Sequence, residues 1–368
     1  MDRLLFYILN YEFRPIGVVD AYKSAIWTER FYTSGDFELY VPNTDLYSGV
    51  LRLPENGHSL YILRADDLTK LGIIDSISYV EDIDSGDMIL VKGHTDDYLL
   101  HYRLIMEQVT YSGNVELAIR HMVKNAFIQS EFGYTDRVSS QFRLGEKVDL
   151  DIDVNLQYQG QYMDEEIGKL AKENGFGFKI DYNDVDSTFT FKLIKPVDRS
   201  LNQTQREPVV FSATLDNMSN SEYNKSSEIN TAYAYGEGNG SFKYSKEYVL
   251  PATRNYALER KEAYIDAKST SNNGDAIHDY MYGNLLYSEA RGAVYRAKNS
   301  GEKVQADILA NTNYKLGVDY DLGDVVQVVV QVGNDRNLIR SFKQRVIEVI
   351  EAFDENGYSC IPTFETVE

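Results

Sequence analysis

The order of hydrophobic and polar residues predicts that the chain begins with strands. Runs rich in β-branched and aromatic residues alternate with polar or Gly-containing turns through residues 1–95. These runs cover residues 4–10, 16–20, 25–31, 37–41, 59–63, 71–80 and 88–93. Short strands at this spacing are typical of a barrel or a sandwich. We therefore expect residues 1–95 to form a β-barrel-like domain.

The hydrophobic period then changes and predicts a small α+β domain over residues 96–205. Apolar residues recur at helical spacing over 115–127, where Asn114 is suited to cap the first turn. A second helix is predicted over 163–174, with Gly175 ending it. Two predicted strands follow, 176–181 and 188–194. Helices and strands in this order indicate one compact α+β segment.

The remaining chain returns to strands with one interruption. Its predicted strands are 208–212, 221–226, 231–236, 304–310, 324–332, 342–352 and 358–364. Between them lie a strand at 259–266 and a helix at about 275–298. The helix places its apolar residues near one face, namely Ile277, Met281, Leu285, Ala290 and Val294. We expect a second β-barrel-like domain from 206–240 and 302–368, with an inserted α+β domain at 241–301. The predicted fold class is α+β, mainly β.

Composition narrows the possible functions. The 368 residues carry 37 Lys+Arg and 57 Asp+Glu, a net charge of −20. Affinity for nucleic acid comes largely from cationic side chains that displace counterions, so this balance opposes DNA binding. No apolar run reaches the length of about 18 residues that a membrane-spanning helix requires. The 29 tyrosines favour strands and contact surfaces that remain partly wet.

The residues that usually carry catalysis or bind metal form no recognisable pattern. The five histidines, His58, His94, His101, His121 and His278, show no metal-binding spacing. The single cysteine, Cys360, lies in an apolar strand and has no histidine near it in sequence, which indicates a buried structural thiol. We assign no catalytic, cofactor-binding or metal-ligating residue.

Three other features have simple structural interpretations. The acidic segment 81–87 departs from a calcium-binding loop in the positions of its Gly and Glu, and we interpret it as a hairpin turn. Asp149, Asp151 and Asp153 alternate with apolar residues, which predicts a strand with one wet face. The glycines of 236–240 lack the strand-to-helix context of a phosphate-binding loop and indicate a turn.

Several stretches in order along the chain resemble the tail-tip hub proteins of long-tailed siphophages, the structural part of the tail-associated lysin. They are 25–31 (AIWTERF), 35–42 (GDFELYVP), 209–218 (VVFSATLDNM), 221–228 (SEYNKSSE), 232–238 (AYAYGEG), 258–267 (LERKEAYIDA), 320–325 (YDLGDV) and 357–364 (GYSCIPTF). The resemblance implies a fold similar to the baseplate hub of contractile-tailed phages. It implies a homotrimer whose two barrel-like domains per subunit form a pseudo-six-fold ring.

The resemblance also implies the setting of such a hub. It would sit in the virion at the tail tip, made in the host cytoplasm, and contact the distal tail ring protein, the tail tube and tape measure proteins, and receptor-binding proteins. DNA would pass through the ring without being specifically bound. The chain ends at Glu368 without the peptidase module of many family members, so we expect no lysin activity and no cofactor.

Three function classes stay open from the sequence. The leading hypothesis is the structural hub that closes the distal end of the tail tube and opens for DNA ejection. A second is a carbohydrate-binding protein that uses exposed Tyr for host attachment. A third is a cell-wall hydrolase that uses a carboxylate pair.

Overall fold

The computed structural model describes residues 4–81, 86–106, 109–130, 133, 135–158, 160–226, 229–237, 244–267, 279–300, 302–309, 314–332 and 339–367. The chain divides into two units. Unit 1 comprises Met1–Asn220, Ala306–Val329 and Arg345–Thr363, and unit 2 comprises Ser221–Gln305, Val330–Gln344 and Phe364–Glu368. The predicted fold class, α+β and mainly β, is confirmed. The four-domain division is finer than these units and stays a prediction.

The first strands of unit 1 follow the predicted pattern closely. They are β1 (Phe6–Leu9), β2 (Pro15–Val19), β3 (Ser24–Arg30), β4 (Asp36–Pro42), β5 (Leu60–Arg64), β6 (Leu71–Val80) and β7 (Met88–Thr95). They lie in the order β3-β4-β7-β6-β5-β1-β2, and each neighbouring pair is antiparallel. Alternate side chains of these strands share one core, in which Trp27 stacks on Phe37 with ring centroids 5.3 Å apart.

One short helix in this region is not predicted from the sequence. The helix α1 (Asp45–Val50) follows β4 and is capped by Thr44, whose side chain accepts a hydrogen bond from the Tyr47 N–H. Its single turn and a half is too short to show a hydrophobic period, which explains why the pattern does not reveal it.

The predicted α+β segment forms a second core within unit 1. Its elements are β8 (Val109–Asn114), α2 (Val115–Phe127), β9 (Phe142–Leu144), β10 (Asp153–Tyr158), α3 (Met163–Asn174), β11 (Gly177–Asn183) and β12 (Thr188–Ile194). Both helices have the predicted bounds: Asn114 accepts from the Leu117 N–H, and Gly175 ends α3 with φ of 74°. Leu9, Leu63 and Leu71 of the first strands contribute to the same core.

The predicted strand over residues 149–154 is wrong for residues 149–152. Asp149 has φ of 53°, outside the strand region, and β10 begins only at Asp153. The carboxylate of Glu116 accepts hydrogen bonds from the N–H groups of Val148 and Leu150, at 3.0 and 3.2 Å. A side chain therefore replaces a neighbouring strand as the partner of this backbone. The three aspartates are nevertheless exposed, as predicted.

The later elements complete the chain. They are β13 (Val210–Ser212), β14 (Met218–Lys225), β15 (Thr231–Tyr235), β16 (Ser245–Val249), β17 (Glu262–Asp266), α4 (Asp279–Ser300), β18 (Glu302–Ile308), β19 (Val325–Gln331), β20 (Ile339–Asp354) and β21 (Gly357–Thr366). In unit 1, the second half of β20 pairs antiparallel with β3 from Glu348↔Arg30 to Asp354↔Ser24. The last strands of the chain thereby extend the sheet of the first strands.

Unit 2 contains a separate small sheet in the order β16-β15-β17, against which α4 packs. The predicted face of this helix is confirmed only in its second half: Ala290 and Val294 are buried, Met281 and Leu285 are exposed, and Ile277 lies outside the described residues. The buried residues of α4 are Tyr282, Leu286, Ala290, Ala293 and Val294. Tyr282 decides the orientation, because its hydroxyl accepts a hydrogen bond from the Glu237 N–H while its ring lies in the core.

We predict that Gly93→Ala in β7 destabilises the protein by about 1–3 kcal/mol or more, a cost typical of overpacking. A Cβ at residue 93 would lie 1.9 Å from the Ile73 carbonyl oxygen of β6 and 2.7 Å from the Phe37 ring. Gly49→Ala in α1 is the control, since nothing lies within 4 Å of its Cβ. The midpoint of urea unfolding measures both. Equal midpoints for the two variants would contradict the packing described here.

Candidate functional site

The histidines do not converge on a metal site. Among the described residues, no group of three or more His, Cys, Asp or Glu side chains is arranged to hold a metal ion. His58 stacks on Tyr11 with centroids 3.9 Å apart, and His121 lies exposed on α2. His278 lies outside the described residues.

Two histidines belong instead to a column of four stacked rings in unit 1. His94, Tyr98, His101 and Tyr162 follow one another with centroid separations of 4.0, 4.7 and 4.3 Å. His94 Nδ1 contacts Asp75, the extra residue of a bulge in β6, and His101 Nδ1 lies 3.0 Å from Asp164. The column joins β7 to the start of α3, so these histidines have a structural role.

The only cysteine is poorly suited to act as a nucleophile. Cys360 is buried, and its Sγ lies 3.8 Å from the hydroxyl of Tyr320. Burial raises the pKa of the thiol, which keeps it in the less reactive protonated form. The other two segments examined in the sequence, 81–87 and 236–240, include residues 82–85 and 238–240 that lie outside the described residues.

A cluster of charged side chains in unit 1 lies where β5, β6 and β3 meet β20. We call it the charged network; it consists of Glu29, Arg64, Asp66, Lys70 and Glu351. The Arg64 side chain is only 2% exposed, and its guanidinium lies over the rings of Trp27 and Phe353, at 5.6 and 5.4 Å. A cation so deeply buried requires anionic partners, because the loss of hydration costs far more than ring contacts return.

Those partners come from both ends of the chain. Arg64 Nη1 donates to Glu351 Oε2 at 2.6 Å, and its Nε and Nη2 donate to Asp66 at 3.0 and 2.7 Å. Lys70 Nζ bridges Glu29 and Glu351 at 2.8 and 3.1 Å. The Tyr358 hydroxyl donates to the other oxygen of Glu351 at 3.1 Å. Two cations therefore hold three carboxylates, of which Glu351 is buried and Glu29 and Asp66 reach solvent.

The pKa values show how strongly Glu351 depends on its neighbours. Burial alone would raise the pKa of this carboxyl, but Arg64 and Lys70 outweigh burial and lower the pKa to about 2. Burial and the charge of Glu351 both raise the pKa of the Tyr358 hydroxyl, which stays protonated and donates. At neutral pH, Arg64, Lys70 and Glu351 are therefore charged and Tyr358 is neutral.

A cavity of about 510 Å³ adjoins the charged network and is lined also by Asp96 and Asp97. The Asp97 carboxylate accepts a hydrogen bond from the Ile180 N–H of β11. Burial raises the pKa of Asp97 to about 7, and burial together with the charge of Asp97 raises the pKa of Asp96 well above its usual range. The sequence does not single out either of these two carboxyls.

The chemistry of these groups favours structure over catalysis. Arg64, Lys70 and Glu351 are engaged with each other, and neither Asp96 nor Asp97 has a hydrogen bond from a serine, cysteine or histidine among the described residues. A usable signal did exist in the sequence, since Arg64 and Glu351 are charged residues inside apolar strands. Their pairing across 287 positions could not be read from it.

Comparison with known proteins identifies the family. The model of the family described as Siphovirus ReqiPepy6 Gp37-like protein matches residues 5–364. The chain belongs to this family. The prediction that this chain is a siphophage tail protein is therefore confirmed. Among curated proteins, no sequence matches it. No helix in the described part of the chain has the length and apolar character needed to cross a bilayer.

Solved structures of prophage tail proteins share the fold of this Gp37-like protein. The 43 kDa tail protein of prophage MuSo2 from Shewanella oneidensis is 10% identical, with 98% of each chain covered and a TM-score of 0.59. The tail protein from Neisseria meningitidis MC58 is 11% identical, and the alignment covers 99% of this chain and 97% of that protein with a TM-score of 0.60. Prophage tail protein gp18 from Listeria monocytogenes EGD-e is 12% identical, with 100% and 95% covered and a TM-score of 0.53.

We predict that Glu351→Gln lowers the free energy of unfolding by about 3–5 kcal/mol, because it leaves Arg64 buried with an incomplete set of anions. Glu348→Gln on the same strand is the matched control. Its partner Arg30 is partly exposed, so the expected loss is at most about 1 kcal/mol. Urea unfolding followed by tryptophan fluorescence measures both, and similar losses for the two variants would argue against the charged network as a major constraint.

We predict that Asp97→Asn flattens the dependence of stability on pH. Since the folded pKa is about 7 and an ordinary Asp titrates near 4, the folded chain holds a proton between about pH 4 and 7 that the unfolded chain releases. The free energy of unfolding therefore falls as pH rises through this window. Asparagine keeps the carbonyl oxygen for the Ile180 N–H and removes the titration. Asp184→Asn, in an exposed turn, serves as the control. An unchanged slope in Asp97→Asn would refute the assignment.

Proposed function

We propose that this protein is the structural hub subunit of a siphophage tail tip. In this proposal three copies form a pseudo-six-fold ring that closes the distal end of the tail tube and opens for DNA ejection. The observation that carries it is a common fold with prophage tail proteins over nearly the whole chain, as in the 98% coverage of both chains for the Shewanella oneidensis protein. Membership in the Gp37-like family supports the same setting in the virion.

Two contacts within unit 1 support a role as a rigid part of a ring. Predicted ring domains at 1–95 and at 206–240 with 302–368 exchange backbone hydrogen bonds through β3 and β20. The charged network then ties Arg64 and Lys70 of the first to Glu351 of the second. Two domains joined by a continuous sheet resist bending better than two domains joined by a flexible linker. Such a rigid pair is what a closed ring of alternating domains requires.

The charge of the chain supports passage of DNA without retention. One copy carries −20, so three copies carry 3 × (−20) = −60. Phosphate contacts from Lys and Arg would hold the genome back, whereas a net negative ring has little affinity for it. We infer no enzymatic role, no lysin activity and no cofactor for this chain. Its proposed partners are the distal tail ring, the tail tube, the tape measure and receptor-binding proteins.

We predict that the purified protein forms trimers at micromolar concentration, with three times the chain mass of 42.1 kDa. Native mass spectrometry across a dilution series measures the stoichiometry, and mixing with the distal tail ring protein tests docking in the same experiment. A chain that stays monomeric at every concentration and does not bind the distal tail ring protein would contradict the proposed hub function. Adsorption of that monomer to host cells would favour the attachment hypothesis.

A further inference from the structure

One buried carboxylate in unit 1 has no partner. Asp96 lies in the turn after β7 and is 4% exposed. Its Oδ2 is buried and makes no hydrogen bond. An unsatisfied buried polar atom costs free energy, and a native structure that keeps one often supplies the partner from outside the chain.

The nearby cations are already engaged with other anions. Lys179 Nζ lies 2.8 Å from Asp181, and Lys70 bridges Glu29 and Glu351. Arg64 is held by Asp66 and Glu351. Within the described residues, no ion pair reaches Asp96 or its neighbour Asp97. The cavity that they line therefore presents two carboxyls that lack a counter-ion.

We propose that this cavity binds a protonated primary amine, with Asp96 as its principal acceptor. An ammonium group carries three N–H donors and no acceptor, so it can donate to the carboxylates of Asp96 and Asp97, which both line the cavity, at once. The volume of about 510 Å³ lies within the usual range for small-molecule sites, roughly 300–1,000 Å³. A bare metal ion fits less well, because the described residues hold no set of three acidic or histidine ligands.

Protonation is the competing way to satisfy these carboxyls. Burial raises the pKa of Asp96 most, the charges of Asp97, Asp181 and Glu29 raise it further, and the charge of Lys179 lowers it. An amine favours the ionised carboxylates, so its binding must release protons from the pair. Affinity for the amine should therefore increase as pH rises, whereas occupancy by protons decreases.

Isothermal titration with 1,4-diaminobutane tests the proposal on the full chain. Buffers of different ionisation enthalpy report the proton release, and a pH series on the unmodified protein reports the linkage. Asp96→Asn should weaken binding by about tenfold or more, the effect of losing a charge-assisted hydrogen bond. Asp97→Asn is the second variant, and Asp184→Asn outside the cavity is the matched control, with unchanged affinity expected.

Each outcome decides the proposal. Binding that rises with pH, releases protons and is weakened by either cavity variant supports it. No heat of binding to the unmodified protein, equal affinity in all variants, or affinity that is independent of pH would overturn it. Calcium that binds in place of the diamine, with loss in Asp96→Asn, would also overturn it in favour of a metal site. Should Asp96→Asn fail to fold, Asp97→Asn and the pH series on the unmodified protein still decide.

Discussion

The pairing of β3 with β20 is the constraint on which the rest of unit 1 depends. It joins Arg30 to Glu348, which are 318 positions apart, and places the side chain of Glu351 beside that of Arg64. The entropy lost on closing so long a loop grows only slowly with its length. The larger requirement is that a buried guanidinium finds its anions, since an incomplete set of partners leaves a charge in a low-dielectric interior. We infer that the charged network favours this pairing in addition to the backbone hydrogen bonds, because any other pairing would leave Arg64 buried without Glu351.

Local features of the fold could be predicted from the sequence, and long-range ones could not. Asn114 and Gly175 mark helix ends because a cap acts within a few residues. The short strands β8, β9 and β16 are missing from the sequence prediction, because each is too brief or too polar to show a clear alternation. The face of α4 is predicted correctly at Ala290 and Val294 but not in its first turns, where Tyr282 and not Met281 joins the core with Ala232 and Ala234 of β15. The candidate site could not be predicted for the same reason, because its residues come together only through the pairing of β20 with β3.

The polar chemistry of this tail protein is directed to assembly of the fold. His58, His94 and His101 each stack on a tyrosine, and the single thiol is buried beside a tyrosine hydroxyl. Strongly perturbed carboxyls cluster around the network and its cavity, which in an enzyme would indicate an active site. Here Glu351 is held by Arg64 and Lys70, the partners expected of a structural ion pair, and Asp97 accepts from a backbone N–H, whereas Asp96 has no such partner. The carboxyls with strongly shifted pKa values thus lie near the contact between the first strands and β20.

The position of this chain in an assembled tail tests the central claim most directly. A cryo-electron microscopy reconstruction of the tail tip would reveal both its location and its copy number. The account predicts three copies in a closed ring at the distal end of the tube, with β3–β20 sheets placing two barrel-like domains per copy at six quasi-equivalent positions. A chain found along the tube, on a peripheral fibre or in a copy number other than three would contradict the account.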